Sequence, residues 1–361
     1  MRLRLRARLG LAVATLVCAA TGGFLASGRA QQPLAASSLP ANTWVNLRAG
    51  GVVSGSGVGD EGYSTFVYSP GLKKGLVFAK YHAFETGGGE DQNALLAYDF
   101  AQNRWDVLEV TEAAWSEYLP GVGHDQGNVV IDPRRDWYIT RGNMTLHGNT
   151  GYQTYIYDVR AGRGKRMTPA VEPNLYHSVA SAFDPDRGVM LTTRGPAWLY
   201  EPDKNTWTEV GGSPSDRAAP ALVYDGRNHV FVMFGGGQSG ETWTFDAGSR
   251  LWRKRKPPIS PPARYAGNIA FDPDTGTILL VGGGAGGDPL SDMWVYDTAQ
   301  DVWTPLPYQA PLPPTTASGN RLIYDVHNHV FLLKDVISMR NVWAFRYVPG
   351  AAPSRQVLGY R

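Results

Sequence analysis

Apolar residues in this chain come in short runs separated by clusters of Asp, Pro, Gly and Asn. The stretch "APALVYDGRNHVFVMFGGG" (219–237) is the clearest unit. Two apolar runs flank Asp225-Gly226-Arg227-Asn228-His229, a pattern that predicts a strand, a tight turn and a second strand. The same turn chemistry recurs in "IDPRRD", "FDPDRG", "FDPDTG" and "YDVHNH". Period-two segments such as "ETWTFD" and "DMWVYD" follow and predict further strands. Asp272 to Gly276 has a faint look of a calcium loop, but its recurrence marks it as a hairpin turn.

The strands repeat. Tyr98, Tyr200, Phe245 and Tyr296 each stand seven residues before a Trp, at 105, 207, 252 and 303. Tyr157 and Phe345 continue the series without that Trp. The aromatic therefore recurs every 43 to 59 residues, between positions 98 and 345. Periods of this size mean stacked supersecondary units. Each unit reads as four antiparallel strands, so the prediction is an all-β chain built as a β-propeller.

Two glycine runs compete with this reading. "FGGGQSGETWTFD" and "VGGGAGGDPLSDMWVYD" both fit G-x-G-x-x-G. The dinucleotide fingerprint works only where the glycines open a helix whose N-terminus faces a pyrophosphate. Here both run on into strand-like sequence, so they are read as punctuation at strand ends. No cofactor is expected.

Paired Gly after the second strand, an aromatic-Asp pair, then Trp six residues beyond the acid: this order resembles the Kelch repeat. Gly235-Gly236, Phe245-Asp246 and Trp252 carry the match in the fourth unit. Gly282-Gly283, Tyr296-Asp297 and Trp303 carry it in the fifth. Unit three has "TTRG" and unit six "LLKD" in place of the Gly pair, and unit two has Gly164 in place of Trp. The resemblance implies a six-bladed β-propeller of four-stranded Kelch-like blades. The last unit ends at "NVWAFRYVP" with no fourth strand, whereas "ANTWVNL" near the N-terminus is close to "KNTWTEV" of unit three. Residues 43–48 are thus expected to complete the last blade, with Trp44 as its Trp.

Residues 1–30 are read separately. Arg2, Arg4, Arg6 and Arg8 precede an uncharged run from Leu9 to Ala26, and Gly28-Arg29-Ala30 ends on a small residue, the pattern of a secretory signal peptide. Cys18 has Val17 before it, a poor context for lipidation. The expected organisation is signal 1–30, linker 31–42, propeller 43–350 and tail 351–361. The whole chain has 34 basic and 32 acidic residues. Removal of the five leader arginines leaves 29 against 32, a net charge of −3. That argues against nucleic acid as a partner, and against a membrane once the leader is gone. The single cysteine leaves with the leader, so no disulfide, Cys metal site or thiol nucleophile remains. Location is expected to be secreted or periplasmic, as a monomer.

Residues at one repeat position near the start of the innermost strands should converge on one mouth. Counting back from the turn residues ending each first strand gives Glu61, His124, Tyr176, Arg217 and Arg264, and one position on gives Asp125, His177 and Tyr265. Loops from second to third strands add His82, Glu85, Arg141, His147 and Asp288. Arg217 and Arg264 are either repeat arginines bonding neighbouring loops or a bidentate clamp for a carboxylate. His124, His177 and Tyr265 are the candidates to move a proton beside it. Glu61, Asp125, Tyr176, Arg217 and Arg264 are the candidate ligand-binding residues. No metal site is expected: His327 and His329 form the one H-x-H and sit in a hairpin turn. Galactose-oxidase chemistry needs a Tyr cross-linked to Cys, which the mature chain lacks.

Three functions remain open. One is a secreted module binding a carbohydrate or another small extracellular ligand. Another is a lyase or epimerase acting on an acidic sugar. The third is an extracellular protein-interaction scaffold using loops such as "KPPISPPAR" and "PLPYQAPLPPTT". A propeller hosts all three, so the fold alone does not choose.

Overall fold

The computed structural model describes residues 33–353, apart from 53–57, 60–63, 83–90, 112–126, 144–151, 176–177, 213, 215–217, 308–312, 314–319 and 336–337. Nearly every element is a strand; the exception is one 3-10 turn, Ala36–Ser38.

Six antiparallel sheets form the blades. Blade one holds Phe66–Ser69, Lys74–His82, Asp91–Asp99 and Arg104–Thr111, and blade two Val129–Asp132, Trp137–Asn143, Tyr152–Asp158 and Arg163–Arg166. Blade three runs from Ala180–Asp184 to Thr206–Gly212, blade four from Ala221–Asp225 to Leu251–Lys254, and blade five from Asn268–Asp272 to Val302–Pro305. The first strands of successive blades touch one another around a full circle, blade six meeting blade one. They are therefore the inner strands of a ring.

The ring closes as the sequence predicts. Blade six contributes Leu322–Asp325, Val330–Lys334 and Val342–Phe345, and Trp44–Asn46 pairs with the last of these. Trp44 lies opposite Phe345, their rings 5.0 Å apart. Joining both chain ends in one sheet leaves the ring no open seam. The residues read as a linker do more than connect. Ala36 and Leu39 are buried in the core between blades six and one, and Asn42 bonds the Val348 and Ala351 carbonyls. The apolar side chains there, too few to signal a strand, have a greasy seam to fill.

The aromatic-to-Trp spacing has a simple cause. A hairpin between the third and fourth strands places the two residues directly opposite one another: Tyr98 and Trp105, Tyr200 and Trp207, Phe245 and Trp252, Tyr296 and Trp303. Their rings pack at 4.7 to 5.1 Å. In blade two Gly164 faces Tyr157 instead. Except for Trp252, the outer-strand Trp residues also reach back into the preceding blade. Trp207 Nε1 donates to Thr154 Oγ1 at 2.9 Å, Trp303 Nε1 to Thr242 Oγ1 at 2.8 Å, Trp105 Nε1 to the Met339 carbonyl at 2.9 Å and Trp44 Nε1 to Met293 Sδ at 2.8 Å. Trp252 Nε1 is buried with no acceptor.

Apolar burial follows the same logic. Each hydrophobic cluster among the described residues bridges two neighbouring blades, for example Leu191, Leu199 and Ala197 of blade three with Phe231, Met233 and Phe245 of blade four. Burial between blades is the main adhesive of a ring whose strand ladders stay within each blade.

Candidate functional site

The two ends of the propeller differ. At one end lie the short turns between first and second strands. Asp132, Asp184, Asp225, Asp272 and Asp325 are buried there, and each Oδ1 accepts backbone N–H groups two or three residues on, such as Asp274 and Thr275 from Asp272. These Asx turns explain why Asp ends so many first strands. Gly276 closes one turn at φ 73°, where a Cβ would meet the Arg227 guanidinium. The turn at Asp272 is thus a hairpin, as read. Tyrosines stitch these turns between blades. Tyr224 donates to Asp186 Oδ2 at 2.8 Å, Tyr324 to Asp274 Oδ2 at 2.5 Å and Tyr68 to Asp325 Oδ1 at 2.6 Å. Burial is the main cause that pushes all three phenols far above their ordinary range, and the carboxylates add to it. His327 and His329 serve different seams here: His327 Nδ1 is 2.9 Å from Tyr68 Oη, and His329 Nδ1 is 2.6 Å from Asp274 Oδ2.

The opposite end is the mouth, where second strands pass to third strands and one blade passes to the next. The glycine runs lie here. After Gly237 the chain enters the strand Thr242–Asp246, and after Gly287 the strand Met293–Asp297, so no helix opens. Their amides are engaged with neighbouring loops: Gly236 N–H donates to the Arg264 carbonyl at 2.8 Å, and Gly237 N–H to the Ala218 carbonyl at 2.9 Å. A Cβ on Gly235 would stand 2.5 Å from the Arg264 carbonyl. Glycine is there because the next blade's loop approaches so closely.

Of the sequence-derived site residues, Arg264 and Tyr265 lie within the described structure, as do the loop candidates His82, Arg141 and Asp288. Glu61, His124, Asp125, Tyr176, His177 and Arg217 fall outside the described residues, as do Glu85 and His147. Arg264 is 1% exposed. Its guanidinium makes a bidentate pair with Asp292, Nη1 to Oδ1 and Nη2 to Oδ2 both at 2.6 Å, and also donates to the Gly282 and Pro262 carbonyls. It thus plays the loop-bonding role, one of the two that the sequence allowed. Asp292 also accepts Trp294 Nε1 at 2.8 Å, which fixes the second-to-third-strand loop of blade five. Tyr265 exchanges two backbone bonds with Gly284, and its ring packs over that glycine.

Below the mouth lies a buried polar layer that sequence reasoning largely missed. Arg141 lies near the end of the second strand of blade two, Trp137–Asn143, with Nε 3.5 Å from Glu172 Oε2 and Nη1 3.4 Å from the Leu175 carbonyl. Glu172 also accepts the Thr154 N–H at 3.0 Å and its hydroxyl at 2.9 Å. In blade six, Arg321, Lys334 and Asp335 are all about 1% exposed or less. Asn341 Nδ2 donates to Asp335 Oδ2 at 2.9 Å. Burial pulls the Lys334 amine down to about 7, against the opposing pull of Asp335. The signal is present in "LLKD", where charged residues stand in place of the Gly pair of the repeat. Among the described residues no three His, Cys, Asp or Glu side chains are grouped to hold a metal.

Two comparisons bear on this architecture. A family model described as the Kelch motif matches residues 273–308, from the first turn of blade five to just past its Trp strand. Kelch-like protein 35 of Mus musculus is 25% identical over 290 residues, covering 74% of this chain and 46% of that protein. The chain thus spans about half the length of that curated relative. Six four-stranded blades and a ring closed by the N-terminal strand lead to one conclusion: this chain is a six-bladed β-propeller whose fifth blade matches the Kelch motif.

Proposed function

We propose that this propeller is a binding module whose ligand, most simply a carbohydrate, sits on the mouth. The observation that supports this reading is the contrast between the two ends. The turns opposite the mouth are short, capped by Asp and tied to their neighbours. The segments that join second to third strands, or one blade to the next, include residues 83–90, 112–126, 144–151 and 308–319, and their sequences carry His124, Asp125, His147, Glu85 and several aromatics. Recognition residues concentrate on variable loops held by a rigid scaffold. Export to the periplasm or the exterior, as a monomer freed of residues 1–30, belongs to the same proposal. A glycan-array screen of residues 31–361 tests it. Saturable binding to a glycan class, lost when the 112–126 connection is shortened with unchanged melting, is expected. A blank array would sink the carbohydrate reading.

A second reading, a protein-interaction scaffold, is favoured by the Kelch-motif match and the Kelch-like relative. The acidic-sugar lyase or epimerase is the weaker alternative, because Arg264, one arm of its carboxylate clamp, is already paired with Asp292. Incubating array hits with the protein separates it: new unsaturated or epimerised products would restore the enzyme reading.

A further inference from the structure

The inner strands enclose an axial channel of about 420 Å³. Its rim at the turn end is a ring of one repeat position: Pro70, Pro133, Pro185 and Pro273, with Gly226 and Val326 in the remaining blades. Next inward, at the residue before each turn, come Ile131, Phe183 and Phe271 together with the three stitching tyrosines. No lining residue carries a formal charge, and the few polar ones are engaged. The tyrosine hydroxyls serve Asp186, Asp274 and Asp325, the Asn320 amide bonds Ile269 and Leu322, and Ser181 Oγ bonds Thr192 Oγ1 at 3.0 Å.

We propose that this channel is a binding site for a small uncharged aromatic molecule, entering through the proline rim. Ligand sites typically measure about 300–1,000 Å³ and are lined mainly by apolar and aromatic groups. An apolar cavity of roughly 150 Å³ already holds benzene, so this channel has room for a fused two-ring molecule. A charged ligand would lose its hydration and find no free partner in the wall. An uncharged ring loses little and gains contact with proline, phenylalanine and aliphatic carbon. The wall is preorganised, since all six inner strands are fixed by their own sheets and tyrosine stitches tie three of the seams. The channel opens through the proline rim at the turn end, and binding in it does not depend on the mouth loops being a binding site.

The test uses residues 31–361 with naphthalene and 2-naphthoate as probes, followed by equilibrium dialysis. Saturable binding of one naphthalene per chain is expected, with 2-naphthoate at least about tenfold weaker. Val223→Trp and Ser181→Phe place bulk at two half-buried channel positions in different blades. Each is expected to weaken naphthalene binding about tenfold or more with a native-like melt; if one variant fails to fold, the other decides. Absence of saturable binding, equal affinity for both probes, or unchanged binding in a folded plugged variant would overturn the proposal. Loss of glycan binding at the mouth has no bearing on it.

Discussion

Trp252 is the one outer-strand Trp of this ring whose buried Nε1 has no acceptor among the described residues. Its counterparts in blades three and five donate to Thr154 and Thr242 of the blade before. Those threonines pair with Arg141 and Phe234, the fifth residues of their second strands. The equivalent residue in blade three, paired with Thr193, is Ala197, which has no side-chain oxygen and is fully buried. Ala197→Thr should therefore supply the missing acceptor. Leaving a buried donor unpaired costs about 1–3 kcal/mol. The added atoms enter a packed seam, and overpacking returns about 1 kcal/mol or more of that. A net gain of ~1 kcal/mol is expected, which for a ring of this size raises the melting temperature by about 1–3 °C. Calorimetric melting of Ala197→Thr, Ala197→Val, Trp252→Phe and the Thr–Phe double variant tests this. Val matches Thr in volume without the oxygen, and Phe removes the N–H. The coupling between 197 and 252 should be about 1 kcal/mol and favourable only for Thr with Trp. Equal melting of the Thr and Val variants, or a gain that survives Trp252→Phe, would refute the reasoning.

Other outcomes follow from the same geometry. Lys334, neutral in the folded chain above about pH 7 but charged in the unfolded chain up to 10.5, makes the unfolded state bind the extra proton between those values, so its burial penalty is full below pH 7 and relieved as pH rises. Lys334→Met should flatten the stability gain between pH 7 and 9, a slope of ~1.4 kcal/mol per pH unit; parallel denaturation profiles for both proteins would contradict this. Arg264→Ala leaves Asp292 and two carbonyls without their donor and should lower stability by ~3 kcal/mol, toward the lower end for a broken pair because Asp292 keeps 27% exposure; an unchanged melt would show that the pair is not holding the loop. Deleting residues 31–48 removes Trp44, Leu39 and Leu47 from buried seams and should cost more than the ~3–5 kcal/mol of a single core Trp, whereas deleting 354–361 should leave the melt in place; equal melts of the two truncations would mean the ring closes otherwise.

The sequence by itself determined the blades, their number and the closure. Turn and strand chemistry is local: Asp225 caps its own turn, Gly235 admits the next loop, and Phe245 meets Trp252 because a short hairpin sets the register. Trp44 was legible because a strand missing from the last repeat and a spare one at the start have one economical solution. The mouth was only partly legible. Counting repeat positions placed Arg264 and Tyr265 near one end of the ring, but nothing in the count distinguished a free guanidinium from one held by Asp292, 28 residues away. The partner of a side chain is a property of two loops in space. The same limit hid Lys334 and Arg321, whose burial depends on how blade six seats against blade one, and the axial channel, whose wall takes one strand from each of six distant segments. Tertiary structure decided these because burial and charge pairing are set by neighbours that the chain brings together only when the ring closes.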